Sequence, residues 1–347
     1  MRRKTRRETI DPAEVYGGRS VLITGGLGFI GSSLAHRLVE LGAVVDLVDA
    51  MVPNCGGNPF NIDRIRDRVG VHIADIDDRE MTETMVRGRD FIFDLVGHVS
   101  HIDSLTDPQL DLRINCRCPL VLLEACRKHN PSAAVLFAGT RGQYGRTVKL
   151  PVTESHPLRP IDVNGVNKLA SEMHHLLYHR LYGLRVCSLR LTNTFGPRHL
   201  MRHSRQGFLN WFIRLAMDDE TLPVYGEGSQ LRDFNYVDDV VEAMLLALAG
   251  EETSGRAFNL GGGRAVSLLD SARAVVAACG SGRIQHVPFP PEKQAIEVGD
   301  YWADHGLFTS VTGWQPVVPF EEGLRRTVAF YRDHREHYWG PGHDPAV

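Results

Sequence analysis

The run Thr24-Gly25-Gly26-Leu27-Gly28-Phe29-Ile30-Gly31 constrains this chain more than any other. It joins an apolar β-branched stretch, 20–24, to an amphipathic one, 28–41. Between a strand and a helix, three such glycines serve a dinucleotide. Gly25 permits the tight turn, Gly28 lets backbone approach a pyrophosphate, and Gly31 lets helix and strand pack closely. Phe29 and Ile30 open the helix, whose free N–H groups and positive dipole end face the phosphates. The next strand, 44–48, leads to Asp49, 24 residues after Gly25. A carboxylate there takes both ribose hydroxyls and repels a 2′-phosphate, so the spacing predicts NAD rather than NADP.

Strand-like and helix-like patterns alternate beyond that point, with strands expected at 70–73, 91–95, 134–138 and 185–191 and long helices at 108–129 and 164–182. The alternation predicts an α/β chain: a Rossmann-type, doubly wound parallel sheet with ligands at the carboxyl ends of its strands. The pattern loosens after Thr192. A helix at 208–217 follows, a helix and strand at 236–248 and 257–260 return to the main sheet, and short elements with Pro-rich loops fill 265–320. We therefore expect a flexible basic tail at 1–19 carrying Arg2, Arg3, Lys4, Arg6 and Arg7, a dinucleotide-binding domain at 20–192 plus 236–264, and a smaller, discontinuous C-terminal substrate lobe at 193–235 plus 265–335.

A net charge of −3 gives no reason to expect a nucleic-acid or membrane surface, and no apolar run reaches the roughly 20 residues of a membrane span. The six cysteines form no C-x-x-C pair, which fits free thiols in a reducing cytoplasm. No Cys/His cluster has metal-ligand spacing, so no metal is expected.

The motifs together carry a resemblance. The glycine run, Asp49, Asp75-Ile76 after the third strand and Arg232-Asp233-Phe234-Asn235-Tyr236-Val237-Asp238-Asp239 resemble the extended short-chain dehydrogenases of the NAD-dependent epimerase/dehydratase family, over about residues 20 to 331. The resemblance implies a homodimer joined through the helices at 108–129 and 164–182, acting on a UDP- or dTDP-linked sugar. It sets Asp75 and Ile76 against the adenine, Leu95, Val96 and Gly97 along the middle of the cofactor, and Asn115 beside them in the next long helix. Such enzymes carry a Ser or Thr after the fifth strand, then Tyr-x-x-x-Lys. The Tyr takes a proton from a sugar hydroxyl as hydride passes to NAD, and the Lys holds the nicotinamide ribose and lowers the Tyr pKa. Here Thr140 takes the hydroxyl position and Lys168 matches the lysine, but Asn164 stands where the Tyr belongs.

No other register repairs this. The residues four before Lys128, Lys149, Lys168 and Lys293 are Glu124, Gly145, Asn164 and Phe289, and Lys4 lies too near the start. An amide cannot act as a base near neutral pH, although it can hydrogen-bond a sugar hydroxyl. Three readings stay open: Thr140 relays a proton to Asp162, Lys168 or water; Tyr144 or His101 swings in; or the chain binds NAD as an inactive regulator.

The turn after Thr140 departs too. Dehydratases of the family carry Asp-Glu there, and glucuronate decarboxylases a Glu, where this chain has Arg141-Gly142. Arg141 is either a solvated loop residue or a clamp on an anionic sugar carbon. On the substrate side the resemblance gives Asn193 a contact with the nucleotide diphosphate, Val224 and Tyr225 a place beside the base with Phe208 and Leu209 nearby, and Arg232 a phosphate. Ser104 either touches the sugar or merely leads a helix. The family's late arginine has no counterpart in the stretch 297–301, so Arg198, Arg202 or Arg205 would supply that charge. The favoured net reaction is decarboxylation of a nucleotide-linked glucuronate to a 4-keto-pentose or pentose. The alternative is 4-epimerisation of a nucleotide-linked hexose.

Overall fold

The computed structural model describes residues 11–339 except 292, 293, 295 and 296. The strands in chain order are β1 (Ser20–Thr24), β2 (Val44–Asp49), β3 (Val69–Ile73), β4 (Phe91–Asp94), β5 (Ala134–Thr140), β6 (Arg185–Leu191), β7 (Asn193–Phe195), β8 (Thr221–Tyr225), β9 (Leu231–Tyr236), β10 (Arg256–Asn259), β11 (Ala265–Ser267) and β12 (Arg283–Val287). Seven of them form one parallel sheet in the order β10-β6-β5-β4-β1-β2-β3. This is the expected Rossmann-type α/β sheet. Its strands read as continuous apolar runs because both faces are covered: Val21, Ile23 and Phe93 pack into one core, Leu22, Ile92 and Val135 into the other. The strand order reverses between β1 and β4, and such a reversal opens a crevice at the carboxyl ends.

Two smaller sheets, β11-β9-β7 and β12-β8, are built from later residues. They pack with the helices Phe208–Met217, Leu268–Cys279 and Phe320–His334. Further along, the His337 ring stacks on Phe60 with centroids 3.6 Å apart, and the Tyr338 hydroxyl donates to Asn61. The Asn61 amide in turn donates to the carbonyls of Leu27 and Arg198.

Two sequence expectations need correction. The tail expected at 1–19 is ordered from residue 11: Pro12–Tyr16 is a short helix, and the buried Tyr16 hydroxyl donates to the Leu245 carbonyl at 2.7 Å. The five basic residues lie outside the described residues. The helix expected at 108–129 is broken into Pro108–Leu112, a π turn at Arg113–Arg117, and Cys118–His129. The cause is Pro119. It has no N–H for the carbonyl four residues back, and the Cys118 N–H reaches Arg113, five back. Among the described residues no helix is long and apolar enough to cross a membrane. All six cysteines are free thiols.

Candidate active site

A cavity of about 580 Å³ opens at the crevice. Its inner wall is the glycine run. Gly25 holds φ at 65°, which a side chain would strain, and a Cβ there would lie 2.9 Å from the Leu95 carbonyl oxygen. A Cβ on Gly31 would collide with the Gly25 carbonyl oxygen, so helix and strand touch only because it is absent. Gly28, Phe29 and Ile30 line the same wall. Asp49 projects from the end of β2 and accepts from the N–H groups of Leu27 (3.0 Å) and Met51 (2.9 Å), while burial pushes its carboxyl above the usual range. Asp75, Ile76, Leu95, Val96 and Gly97 all reach the cavity. This cradle, with a ribose-height carboxylate that no cation among the described residues pairs with, fits NAD. Asp49→Ala is expected to weaken NAD binding by about 1.5–3 kcal/mol, read by titration calorimetry. NADP binding as tight as NAD binding in the unaltered protein would sink that expectation.

Asn115 is not part of the lining. It is fully buried in the π turn, where its amide accepts from the His98 N–H (3.1 Å) and donates to the His98 carbonyl (2.8 Å). It holds the loop after β4 in place.

At the inner end β5 delivers Thr140, whose hydroxyl accepts from the Gly142 N–H at 3.2 Å. Lys168 enters from the helix Val163–Tyr182. Its ammonium donates to the carbonyls of Val96 (3.4 Å) and Ala138 (3.3 Å), at the ends of β4 and β5. A Cβ on Gly97 would stand 3.1 Å from this ammonium. Burial pulls the Lys168 pKa down, opposed by Asp94 and Asp111. Asp94 is itself pushed up to about 6 by burial.

Asn164 lines the cavity at the place the motif gives it, but its amide N–H₂ is already engaged. It is buried, and its amide N–H₂ donates to the His98 carbonyl (2.5 Å) and to Asp111 (3.2 Å). Asp111, fully buried, also accepts from Asn167 (2.8 Å) and lies 3.2 Å from His98 Nδ1. Asn164 is one strut of that network. Tyr144 is also excluded as a mobile base: it is buried, donates to Asn259 at 2.7 Å, accepts from Arg190, and burial pushes its hydroxyl up to about 12.

Asp162 does face the cavity. One oxygen caps the helix Val163–Tyr182 by accepting from the Gly165 N–H, and the other lies 2.7 Å from His101 Nδ1. Burial pushes its carboxyl up, but these bonds outweigh it and hold the pKa below the usual range. Sequence reasoning raised both residues without pairing them, since 61 positions separate them.

Arg141 also lines the cavity, its guanidinium 5.5 Å from the centre of the Tyr301 ring. Among the described residues no carboxylate lies within ion-pair distance of it, and burial and Arg232 lower its pKa.

On the outer side Asn193, Phe208, Tyr225 and Arg232 line the cavity, while three expected residues do not. Leu209 turns into the core, and Trp211 and Phe212 line the cavity instead. Val224 is buried because β8 alternates: Leu222 and Val224 point inward, Pro223 and Tyr225 outward. Ser104 is fully buried, its hydroxyl donating to the His101 carbonyl and accepting from the Asn164 N–H. Tyr225 lies beside Phe289, with centroids 5.3 Å apart. Arg232 donates to Glu297 at 2.5 Å and to the Gly299 carbonyl at 2.6 Å. The stretch 297–301, which lacks the family's late arginine, thus supplies a carboxylate. Of the three other arginines only Arg205 reaches this cavity.

The model of the NAD dependent epimerase/dehydratase family matches residues 21–261. A UDP-glucose 4-epimerase of Mycolicibacterium smegmatis is 30% identical over 316 residues, covering 90% of this chain and 98% of its own. UDP-glucuronic acid decarboxylase 1 of Xenopus tropicalis is 31% identical over 324 residues, covering 92% and 73%. The dTDP-glucose 4,6-dehydratase of Streptomyces venezuelae, solved with NAD bound, superposes with a TM-score of 0.84 at 26% identity, covering 93% of this chain and 99% of that one.

Proposed function

The chain belongs to the NAD dependent epimerase/dehydratase family, and from that premise we propose that it oxidises C4 of a UDP- or dTDP-linked glucuronate and releases its C6 carboxylate as carbon dioxide. Arg141 carries this reading. A half-buried cation with no ion-pair partner among the described residues, beside Thr140, is costly unless a ligand brings an anion. A uronate carboxylate is such an anion.

In this reading Tyr225 and Phe289 flank the base, and Asn193 and Arg232 take the diphosphate as Glu297 gives way. NAD supplies the hydride acceptor for C4 and, in a full cycle, the donor that returns it. Thr140 hydrogen-bonds the C4 oxygen, and Lys168 holds positive charge at the ends of β4 and β5. Once C4 is a ketone the substrate is a β-keto acid. Its C5–C6 bond breaks with the electron pair moving toward the C4 oxygen, and a proton then adds at C5. Arg141 orients the departing carboxylate, and Lys168 and Thr140 stabilise the enolate. No Asp-Glu pair is needed.

The similarity to the Mycolicibacterium 4-epimerase favours a second reading, C4 inversion of a nucleotide-linked hexose. One experiment separates them: incubation with UDP- and dTDP-linked glucuronate, glucose and galactose, with products followed by NMR. Decarboxylation is expected to yield carbon dioxide and a 4-keto-pentose or pentose from the glucuronates alone. A hexose epimer would support the second reading. No product and no reduction of bound cofactor would leave a regulatory NAD-binding protein.

We further propose that the chain works as a homodimer through the helical stretch 108–129 and the helix Val163–Tyr182. Val166, Met173 and Leu181 are each at least half exposed and recur along one side of the second helix, with Leu105 and Leu112 exposed nearby. Light scattering at micromolar concentration is expected to show a dimer, and Met173→Glu a shift to monomer. A wild-type monomer would refute the proposal.

A further inference from the structure

We propose that His101, held by Asp162, is the acid–base group that exchanges the proton of the sugar hydroxyl in place of the missing tyrosine. The inference rests on the C4-oxidation reading above.

Removing a hydride from C4 makes a ketone only if the hydroxyl proton also leaves, and returning the hydride requires a proton back. The two residues whose positions suggest that duty are both committed elsewhere: the Asn164 amide donates to His98 and Asp111, and the Tyr144 hydroxyl donates to Asn259. Lys168, buried beside Asp94 with its ammonium donating to two backbone carbonyls, stabilises developing negative charge but has no lone pair with which to take the proton.

His101 has the required geometry. Its ring lines the cavity about one-third exposed, and its Nδ1–H donates to the buried Asp162 carboxylate at 2.7 Å. That bond fixes the tautomer, leaving the Nε2 lone pair free to accept. No hydrogen bond to Nε2 is found among the described residues. The ring also lies near Thr140. A Cβ built on Gly142 would lie 3.2 Å from His101 Cε1 and 3.6 Å from the Thr140 hydroxyl oxygen, so imidazole edge and hydroxyl flank one point. A side chain at position 142 would crowd the ring. The position that bears an acid in the resembling dehydratases is a glycine here, and the space goes to the histidine.

The step balances. The sugar O–H breaks and Nε2–H forms. The C4–H pair moves to the cofactor and C4 becomes a carbonyl. In the return the imidazolium gives the proton back to the oxygen. Asp162 is a positioning residue: it touches the ring and stabilises the imidazolium, without exchanging the proton itself.

The test uses full-length enzyme loaded with NAD and mixed with the sugar that the product screen identifies, following cofactor reduction in a single turnover. His101→Gln is expected to slow reduction about 100- to 10,000-fold with NAD affinity and melting temperature unchanged. Asp162→Asn keeps an acceptor for the Gly165 N–H, so the helix cap survives while reduction still slows. In His101→Gly, added imidazole is expected to restore at least about tenfold of the lost rate, which a structural role would not allow. Histidine ¹⁵N shifts supply a readout independent of turnover: His101 in the wild type is expected as the Nδ1–H tautomer, and Asp162→Asn to lose that preference. Wild-type reduction with an unimpaired His101→Gln, or no imidazole rescue, overturns the dyad and leaves C4 oxidation standing. No reduction by the wild type with any sugar overturns both.

Discussion

Thr140→Val will leave a folded protein that binds NAD and hardly turns over. The substitution keeps the branched shape at the end of β5 and deletes only the hydroxyl. It removes one acceptor from the Gly142 N–H, a bond worth about 1 kcal/mol to the turn. The larger loss is in the reaction. Without the hydroxyl nothing fixes the sugar oxygen between β5 and the His101 ring, and acid–base assistance worth about 100- to 10,000-fold depends on that alignment. The expected result is a fall in kcat of that size with NAD affinity unchanged. Any residual product should be enriched in the 4-ketone, because the returning proton arrives from a poorly placed donor. An unaltered rate and product ratio would show that the chemistry lies elsewhere.

The second large effect is on stability. Asp111→Ala removes a fully buried carboxylate that satisfies Asn164 and Asn167 and pairs with His98. The remaining polar groups then face a cavity without partners. Each buried donor left without its acceptor costs about 1–3 kcal/mol, so the urea midpoint should drop sharply. The sign with pH follows from the carboxyl's position. Burial raises its pKa, the bonds from His98 and Asn167 outweigh this, and the net folded value lies below the ordinary one. Its contribution is thus present above the unfolded pKa and lost as pH falls through the folded one. In Asp111→Ala that part of the acid destabilisation should be missing. A midpoint within the error of the wild type would overturn this account.

The same network shows why the site was only partly legible. β1, the glycine run and Asp49 could be read because each role depends on backbone shape or on one residue at a fixed distance. Thr140 and Lys168 could be read because strand end and helix face follow from the pattern. Asn164 and Asn115 sit at the right places in the motif, but their amides are claimed by His98, and nothing local to either asparagine announces that. Val224 failed by one residue, because the strand's alternation turns its neighbours Pro223 and Tyr225 to the cavity, and Leu209 failed because the helix turns it to the core and brings Trp211 and Phe212 round instead. His101 and Asp162 meet only because the starts of the helices His101–Thr106 and Val163–Tyr182 converge at the carboxyl edge. Glu297 reaches Arg232 from 65 residues away. The π turn, too, depended on one missing N–H, at Pro119.

The Asn61 junction sets an order of events during synthesis. Its amide steadies the Leu27 carbonyl inside the glycine run and the Arg198 carbonyl, while its own oxygen waits for the Tyr338 hydroxyl, 277 residues downstream. A nascent chain that has just released β1 and β2 therefore owns every glycine of the cofactor cradle but not the clasp behind it. Closing so long a loop is entropically late. The cradle should become a tight dinucleotide site only when the segment around His337 and Tyr338 has emerged and docked, so that cofactor capture marks the end of folding rather than its beginning.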